Sequence, residues 1–544
     1  MFRFFIKSLF FVLIVTHLSA GPDDDTRKAL NSPPPFFKGF DSYSMKISTK
    51  SKVAQKYFDQ GLLLFYGYNF PEAARSFKEA ARQDPNCAIC YWGEALAYSE
   101  CIKHPGDVWC VEAHKAVEKA LDHMDGASDK EKDLIYAMDK LVNEYDNTYT
   151  VNRSNYLEYL KSLVQQYPDD PDIAAIYVNW QYGMEDLENY MNKTKAFGKA
   201  KELIDTCSLY LDKFPKHPGL LHFNIHVLES CGISKKALES AKALDGLVPG
   251  SGHLQHMPAH IYFAVGDYHN ATRANKEGIK ADEALMKSGG IAIQEFAPFY
   301  AHNYFFIFGS LTMEGKYQES MESADKIVSM LQSHELPSNN YLDNVFYSSP
   351  YLIIARFGKW EDLANQPKPP EDLYFARAMR AYAEGLAAVS ENNHKLAGTY
   401  LNEIHQMRKM YDQNHPGGPL SRIMTMTALE LSSDMAAMRK NKNLQISELK
   451  KAVAIEDRVG MHMLPWYMPM RQALGAAYLQ NHQPDKAIKV YKEDLESHPN
   501  NGWSLLGLSQ AYKMQKKNDL AEENYQQFKK QWAYADNEPK TSRY

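Results

Sequence analysis

The chain has 544 residues but only six cysteines, and past its N-terminus it has no long apolar run. So few thiols cannot hold a chain of this length together, which excludes a disulfide-built scaffold. No run after the N-terminus approaches the ~18 residues of a membrane helix, so no transmembrane span is expected in the mature chain. Lys/Arg-rich runs are missing and the formal net charge is −6, so nothing points to nucleic acid as a partner. The sequence has no HExxH, no GxSxG, no phosphate-binding glycine loop and no EF-hand loop, so the commonest motif-borne chemistries have no foothold. Alternation of the β type is also absent at any useful length.

What is present begins with MFRFFIKSLFFVLIVTHLSA. Arg3 and Lys7 precede a short apolar core, Leu9 to Val15, and Ser19-Ala20 offers small residues for cleavage. Residues 1–20 therefore read as a signal peptide, and the expected location is secreted or periplasmic; the alternative is an uncleaved N-terminal anchor. No cysteine follows the apolar core, which argues against a lipoprotein. Residues 21–50, containing SPPPFF, read as an extended leader.

From Ser51 a spacing pattern appears. Gly61, Ala73, Phe77, Ala80 and Pro85 stand at offsets of 0, 12, 16, 19 and 24 residues. Gly475, Tyr478, Ala487, Tyr491 and Pro499 fit the same pattern, with Leu474 before them, and Ala521 follows Ala487 by 34 residues, as Ala271 follows Ala237. Gly385 with Ala397, and the turn FGKWEDL, mark further units. The turn GKYQES repeats GDYHNA 49 residues on, so this repeat is longer than the rest. Small residues at these places let two antiparallel helices approach, an aromatic fills the gap to the next pair, and proline ends the second helix. The pattern resembles the tetratricopeptide repeat (TPR). The expected fold is all-α, a TPR-type helical-hairpin solenoid with divergent repeats. Its expected division is TPR-like repeats with a CxxC over residues 51–217, a central histidine-rich set over 218–330, C-terminal repeats over 331–535, and a disordered tail at 536–544.

Histidines recur in register with this period. His222 and His226, in LHFNIHVLES, form an i, i+4 pair; His256 and His260, in GHLQHMPAHIY, form another 34 residues later. Each pair shares one helix face. Glu229, three residues after His226, lies on the same stripe, and matching GKYQES to GDYHNA brings His302 into the next repeat. In the TPR register, His222 and His226 take positions 5 and 9 of a first helix. His256 and His260 take them one repeat later, with His253 at position 2. The resemblance implies that these positions line a concave groove. Pro258 falls inside the second of these helices and is expected to kink it. Imidazole with carboxylate suits zinc, iron, copper, nickel or manganese. The expected ligands are His226, Glu229, His256 and His260, with His222 and His302 as further ligands or supporting donors and His253 as a groove residue. Two alternatives stand beside this: a polar groove in which protonated histidines grip carboxylate or phosphate, and histidines that merely pack in a core.

Together, HPGLLHFNIHVLES, SGHLQHMPAHIYFAVGDY, YAHNYFF, RQALGAAYLQ and the N-terminal repeat block are similar to a family of large bacterial-type TPR proteins, mostly without an assigned activity. The match runs through nearly the whole mature chain. The chain departs from that family where His302-Asn303-Tyr304 runs into Phe305, a place where relatives often carry a second histidine, and where FDSYSMK precedes ISTKS without one.

Cys87 and Cys90, in NCAIC, form a CxxC that binds metal, acts as a redox pair or closes a short disulfide; in an exported chain the disulfide is favoured. Cys101 and Cys110 are a second candidate pair, and Cys207 and Cys231 a third across adjacent helices. Asn152, Asn192 and Asn270 stand in glycosylation sequons. Tyr66, Tyr68, Trp92, Trp360 and Trp466 read as packing residues, while Phe296, Phe299, Tyr300 and Tyr304 lie near enough to His302 in sequence to wall a pocket. The expected function is an exported TPR-type protein whose His/Glu-lined pocket binds a transition metal, with metal-dependent catalysis on a small molecule as one outcome. The alternative is an interaction scaffold holding a peptide or partner protein in the groove. No residue identifies a substrate, so enzyme status is left open.

Overall fold

The computed structural model describes residues 31–100, 108–143, 149–289, 293–333, 340–459 and 466–543. The fold is all-α, with helices in antiparallel succession as the repeat spacing predicts. The chain forms two compact units, Met1–Tyr262 with Arg273–Asn303, and Phe263–Thr272 with Tyr304–Tyr544.

The first unit opens with α1 (Lys52–Tyr66), α2 (Phe70–Gln83), α3 (Ala88–Ser99), α4 (Val108–Asp122), α5 (Asp129–Asn143), α6 (Tyr149–Gln166) and α7 (Pro171–Met184). A two-stranded antiparallel hairpin, β1 (Met191–Asn192) with β2 (Lys195–Ala196), leads into α8 (Gly198–Lys213), α9 (Pro218–Ser230) and the short α10 (Leu238–Leu244). Three helices, α11 (Gly252–Val265), α12 (Tyr268–Lys287) and α13 (Ile293–Met313), contribute to both units. The second unit continues with α14 (Tyr317–Gln332), α15 (Asn340–Phe357), α16 (Tyr374–Ser390), α17 (His394–Asp412), α18 (Pro419–Met438), α19 (Lys442–Val459), α20 (Met470–Gln480), α21 (Pro484–Ser497), α22 (Gly502–Met514) and α23 (Asn518–Gln531).

Local chemistry explains the boundaries. Ser51 accepts from Ala54 N–H at the start of α1, Asn69 from Glu72 N–H at α2, and Asp170 from Ile173 N–H at α7. Each relieves a backbone donor that the first helical turn leaves unmade. The repeat glycines work by close approach. A Cβ at Gly61 or Gly93 would stand 2.9 or 2.4 Å from the Phe77 ring, and one at Gly475 or Gly507 2.4 or 2.3 Å from Tyr491. In both units an aromatic from a second helix is thus clamped between the first helices of successive pairs. The long repeat between GDYHNA and GKYQES is absorbed by helix length, since α12 and α13 have 20 and 21 residues. At FGKWEDL the second helix is reduced to a 3₁₀ stretch, Trp360–Asn365.

Residues 33–50 of the leader contain no helix and dock on the first unit. Phe37, Phe40, Met45 and Ile47 are buried, Phe37 N–H donates to Gln60 Oε1 at 2.8 Å, and Tyr43 Oη donates to Asp172 Oδ2 at 2.9 Å. The expectation of a disordered tail at 536–544 is corrected over 536–543. Asp536 accepts from the N–H groups of Tyr317 and Gln318 at the start of α14. Ser542 is buried against Tyr491, and Arg543 reaches Glu430 and Asp434. A polar tail orders here because carboxylates on α18 and bare helix N–H groups on α14 await it.

Cys87 and Cys90 are joined in a disulfide at the start of α3. The expected Cys207–Cys231 bond is corrected: no bond joins them. Cys207 is fully buried within α8, where burial pushes its thiol up to about 12, and Cys231 sits at the C-terminal end of α9. Cys110 is buried on α4, and Cys101 lies outside the described residues. Asn192 is exposed in the β-hairpin; Asn270 is half-buried with its amide on Asp267; the Asn152 side chain lies outside the described residues, as do residues 1–30 and the side chains of Phe296 and Phe299. Among the described residues no helix is long and apolar enough to cross a membrane.

Candidate metal centre

The centre is built on α9 and α11, held in place by the turn that ends α1. Asp172, buried on α7, accepts from Tyr66 Oη at 2.7 Å and from Tyr43 Oη, and lies 3.2 Å from His217 Nε2. Since Leu220 N–H donates to His217 Nδ1 at 3.1 Å, the His217 proton is on Nε2 and goes to Asp172. His217 is the N-cap of α9, so one carboxylate ties α1, α7 and the leader to the start of the helix that carries His222 and His226. Burial works against the Asp172 charge, but these three donors outweigh it and hold its pKa below the ordinary carboxylate value. Gly67 permits the approach of α1 to α11: a Cβ there would stand 2.4 Å from Ser251 Oγ.

Two clusters of three imidazoles result. His222, His226 and His253 form one, His256, His260 and His302 the other, and within each the ligating atoms lie within 4.8 Å of one another. His222 and His256 are completely buried; His226, His253 and His260 are 5%, 4% and 3% exposed. The rings His253 and His256, centroids 6.0 Å apart, bridge the clusters, as do His226 and His260 at 6.4 Å. Pro258 does not interrupt α11, which runs unbroken from Gly252 to Val265.

The outer nitrogens fix the tautomers. His222 Nδ1 is 2.7 Å from the Tyr66 carbonyl, His256 Nδ1 2.5 Å from Asn275 Oδ1, and His260 Nδ1 2.9 Å from Glu229 Oε1. All three oxygens accept, so each imidazole donates from Nδ1 and keeps its lone pair on Nε2. These Nε2 atoms face inward. His256 Nε2 and His260 Nε2 are 2.8 Å apart, His302 Nε2 is 3.5 Å from His260 Nε2, and His222 Nε2 is 3.1 Å from His253 Nε2. Burial, then the neighbouring imidazoles, holds His222, His253, His256 and His302 well below the ordinary histidine pKa, so they are neutral at physiological pH, the state that ligates metals.

The expected ligands come together, but in a different grouping. His226 joins His222 and His253 rather than His256 and His260, and His253, expected only to line a groove, is a full member of its cluster. Glu229 stands behind His260. Three contributors escape a reading of the sequence: the Tyr66 carbonyl, Asn275 and Tyr68. Tyr68, read as packing, stacks on His226 and His253 and meets His222 edge-on. Its φ of +58° places it in the left-handed region, between the Gly67 cap of α1 and the Asn69 cap of α2. A backbone carbonyl leaves no trace in a residue pattern, and Asn275 lies on the following helix.

No family model matches the chain, and no curated protein matches it. Among solved structures, the human IFIT1 dimer with m7Gppp-AAAA aligns at 14% identity over 94% of this chain and 95% of that one, with a TM-score of 0.30. The APC/C hetero-tetramer Cut9–Hcn1 aligns at 13% identity over 98% and 82%, TM-score 0.29. The TPR domain of P58(IPK) aligns at 15% over 61% and 89%, TM-score 0.21. None of these proteins' ligands or partners carries over to this chain.

Proposed function

We propose that the protein binds transition-metal ions in its histidine pocket, one at each cluster. The observation that carries this reading is the pair His256 and His260. Both protons are committed outward, to Asn275 and Glu229, and two lone pairs face each other across 2.8 Å. Such an arrangement is repulsive unless both nitrogens are turned to a shared cation. Tetrahedral ligation by imidazole spaces ligand nitrogens about 3.3 Å apart, against 2.8 and 3.5 Å from His260 to His256 and His302, and 3.1 Å between His222 and His253. Outward donation from Nδ1 to carboxylate, amide or carbonyl is the support that metal-bound histidines have in general. Nitrogen ligands alone suit zinc, copper, nickel or iron better than manganese.

Three imidazoles per ion also leave a coordination position for water or a small molecule, the ligand count of catalytic rather than structural sites. When bound, such an ion activates water or polarises an oxygen of its ligand; the chain's own part is to hold the imidazoles neutral, oriented and away from bulk water. Burial favours an ion over a peptide as the occupant, because peptide clamps need side chains that solvent-borne partners can reach. We read the protein as exported; the Cys87–Cys90 disulfide supports an oxidising compartment.

Elemental analysis of untagged protein tests the reading, with His256→Ala and His260→Ala beside wild type. Stoichiometric metal in wild type, reduced in both variants, supports it. Wild type that folds, stays metal-free and takes up none on titration with zinc, copper or nickel overturns it.

A further inference from the structure

Three of the six imidazoles stand on one helix and are divided between the clusters. On α11, His253 belongs to the first cluster, and His256 and His260 belong to the second. His253 and His256 are three residues apart, a rise of about 4.5 Å along the helix axis. Two-metal sites hold their ions at a comparable separation, about 3.5–4 Å. The rings show how shallow the division is. Within a cluster, ring centroids lie between 4.8 Å apart, for His222 and His226, and 6.2 Å, for His226 and His253. Across the clusters, His253 and His256 are 6.0 Å apart, and His226 and His260 are 6.4 Å apart. Neighbouring rings are thus nearly as close across the boundary as inside it.

Imidazoles do not balance the charge of two ions. Neutral histidines bring none, and of the outer partners the Tyr66 carbonyl and Asn275 are neutral too, while Glu229 behind His260 brings a single negative charge. Each divalent ion brings two positive ones, and a charge taken from water into a buried site needs a partner. An anion between the ions offsets both at once. Tyr68 lies against all three imidazoles of the first cluster and takes one face of that triad from an incoming ligand. A ligand of the first ion is thereby confined to the pocket that the second cluster also lines.

We propose that the two ions form one coupled pair, and that the pocket binds a small anion, a hydroxide or carboxylate, that bridges them. This rests on the metal-binding reading above and adds the ligand that such a pocket takes.

The test loads the full chain with copper(II) and titrates it with azide. Two ions and one azide per chain are expected. The electron paramagnetic resonance spectrum of the loaded wild type is expected to differ from the sum of the spectra of His222→Ala and His256→Ala, each carrying one ion. Those variants are expected to bind azide about tenfold or more weakly than wild type, because one contact replaces two. Two ions whose spectrum equals that sum, or two azides per chain bound as tightly as in the variants, overturn the bridge and leave metal binding intact. A chain that stops at one ion also overturns the pair, and one that takes up no metal overturns both readings. Should the variants fail to fold, wild type decides alone: one azide per two ions upholds the bridge, and one per ion sinks it.

Discussion

His260 donates its Nδ1 proton to Glu229 Oε1 at 2.9 Å, and so turns its Nε2 lone pair towards His256. On the proposed reading, residues 31 positions apart on consecutive first helices would act as ligand and support. The spacing of His226 and Glu229 within one helix suggests instead that Glu229 is itself a ligand. The two roles separate experimentally. As a support, Glu229→Ala is expected to weaken metal binding about 10- to 100-fold while leaving the number of bound ions unchanged at saturation. Competition against a chromophoric zinc chelator measures this. Loss as complete as that in His260→Ala would return Glu229 to the ligand set.

The two clusters predict a divided stoichiometry. His222→Ala is expected to lose the ion of His226 and His253 and keep the other, and His256→Ala the reverse. Each single variant should therefore bind half the wild-type equivalents, and the double variant none. A wild type that saturates at one ion, lost equally in either variant, would mean that the six imidazoles form one site.

Much of this was legible before the structure, because repeat packing writes itself into spacing. Gly61 with Phe77 and Gly475 with Tyr491 stand 16 residues apart in both cases, since an aromatic of fixed size must meet a bare backbone on a neighbouring helix. The histidine register is legible for the same reason. The partition into two clusters was not, because it depends on rotamers and on outer partners such as the Tyr66 carbonyl and Asn275. The docked tail was hidden too: TSRY has the composition of a loose end, and only the carboxylates of Glu430 and Asp434, more than a hundred residues away, give Arg543 a place.

Tyr491 offers a test of the packing itself. It is fully buried, with Gly475 and Gly507 against its ring on either side. Gly507→Ala puts a methyl 2.3 Å from the ring where nothing small can yield. The expected cost is about 1–3 kcal/mol from overpacking, read as a lower denaturant midpoint. Alanine is the better helix former by up to about 1 kcal/mol, so an unchanged or raised midpoint would show that the clamp is loose.

Arg543 is expected to matter although it stands one residue from the end of the chain. Its guanidinium holds Asp434 through two contacts, 2.7 and 2.9 Å, and Glu430 at 2.6 Å, and these carboxylates are buried. Arg543→Ala leaves two like charges without their counterion, a loss of roughly 3 kcal/mol for a buried pair. Thermal unfolding of the variant, compared with a deletion of residues 541–544, should show similar drops. A deletion as stable as wild type would mean that the tail merely rests on the surface.

Asp282 supplies a pH signature. It is buried on α12 with Asn303 Nδ2 3.2 Å from its Oδ2, and burial, reinforced by the Glu283 charge, pushes its pKa up to about 8. The folded state therefore holds a proton that the unfolded chain releases near pH 4. With more protons bound in the native state, stability falls as pH rises between these two values. The favourable contribution is complete below about pH 4 and gone once the pH has passed about 8. Asp282→Asn keeps the shape and the oxygen acceptor for Asn303 but cannot ionise. Its melting temperature relative to wild type is expected to climb from pH 4 to pH 8 and then level off. A difference that stays flat across that range would show that Asp282 is charged in the fold throughout and that some donor compensates it.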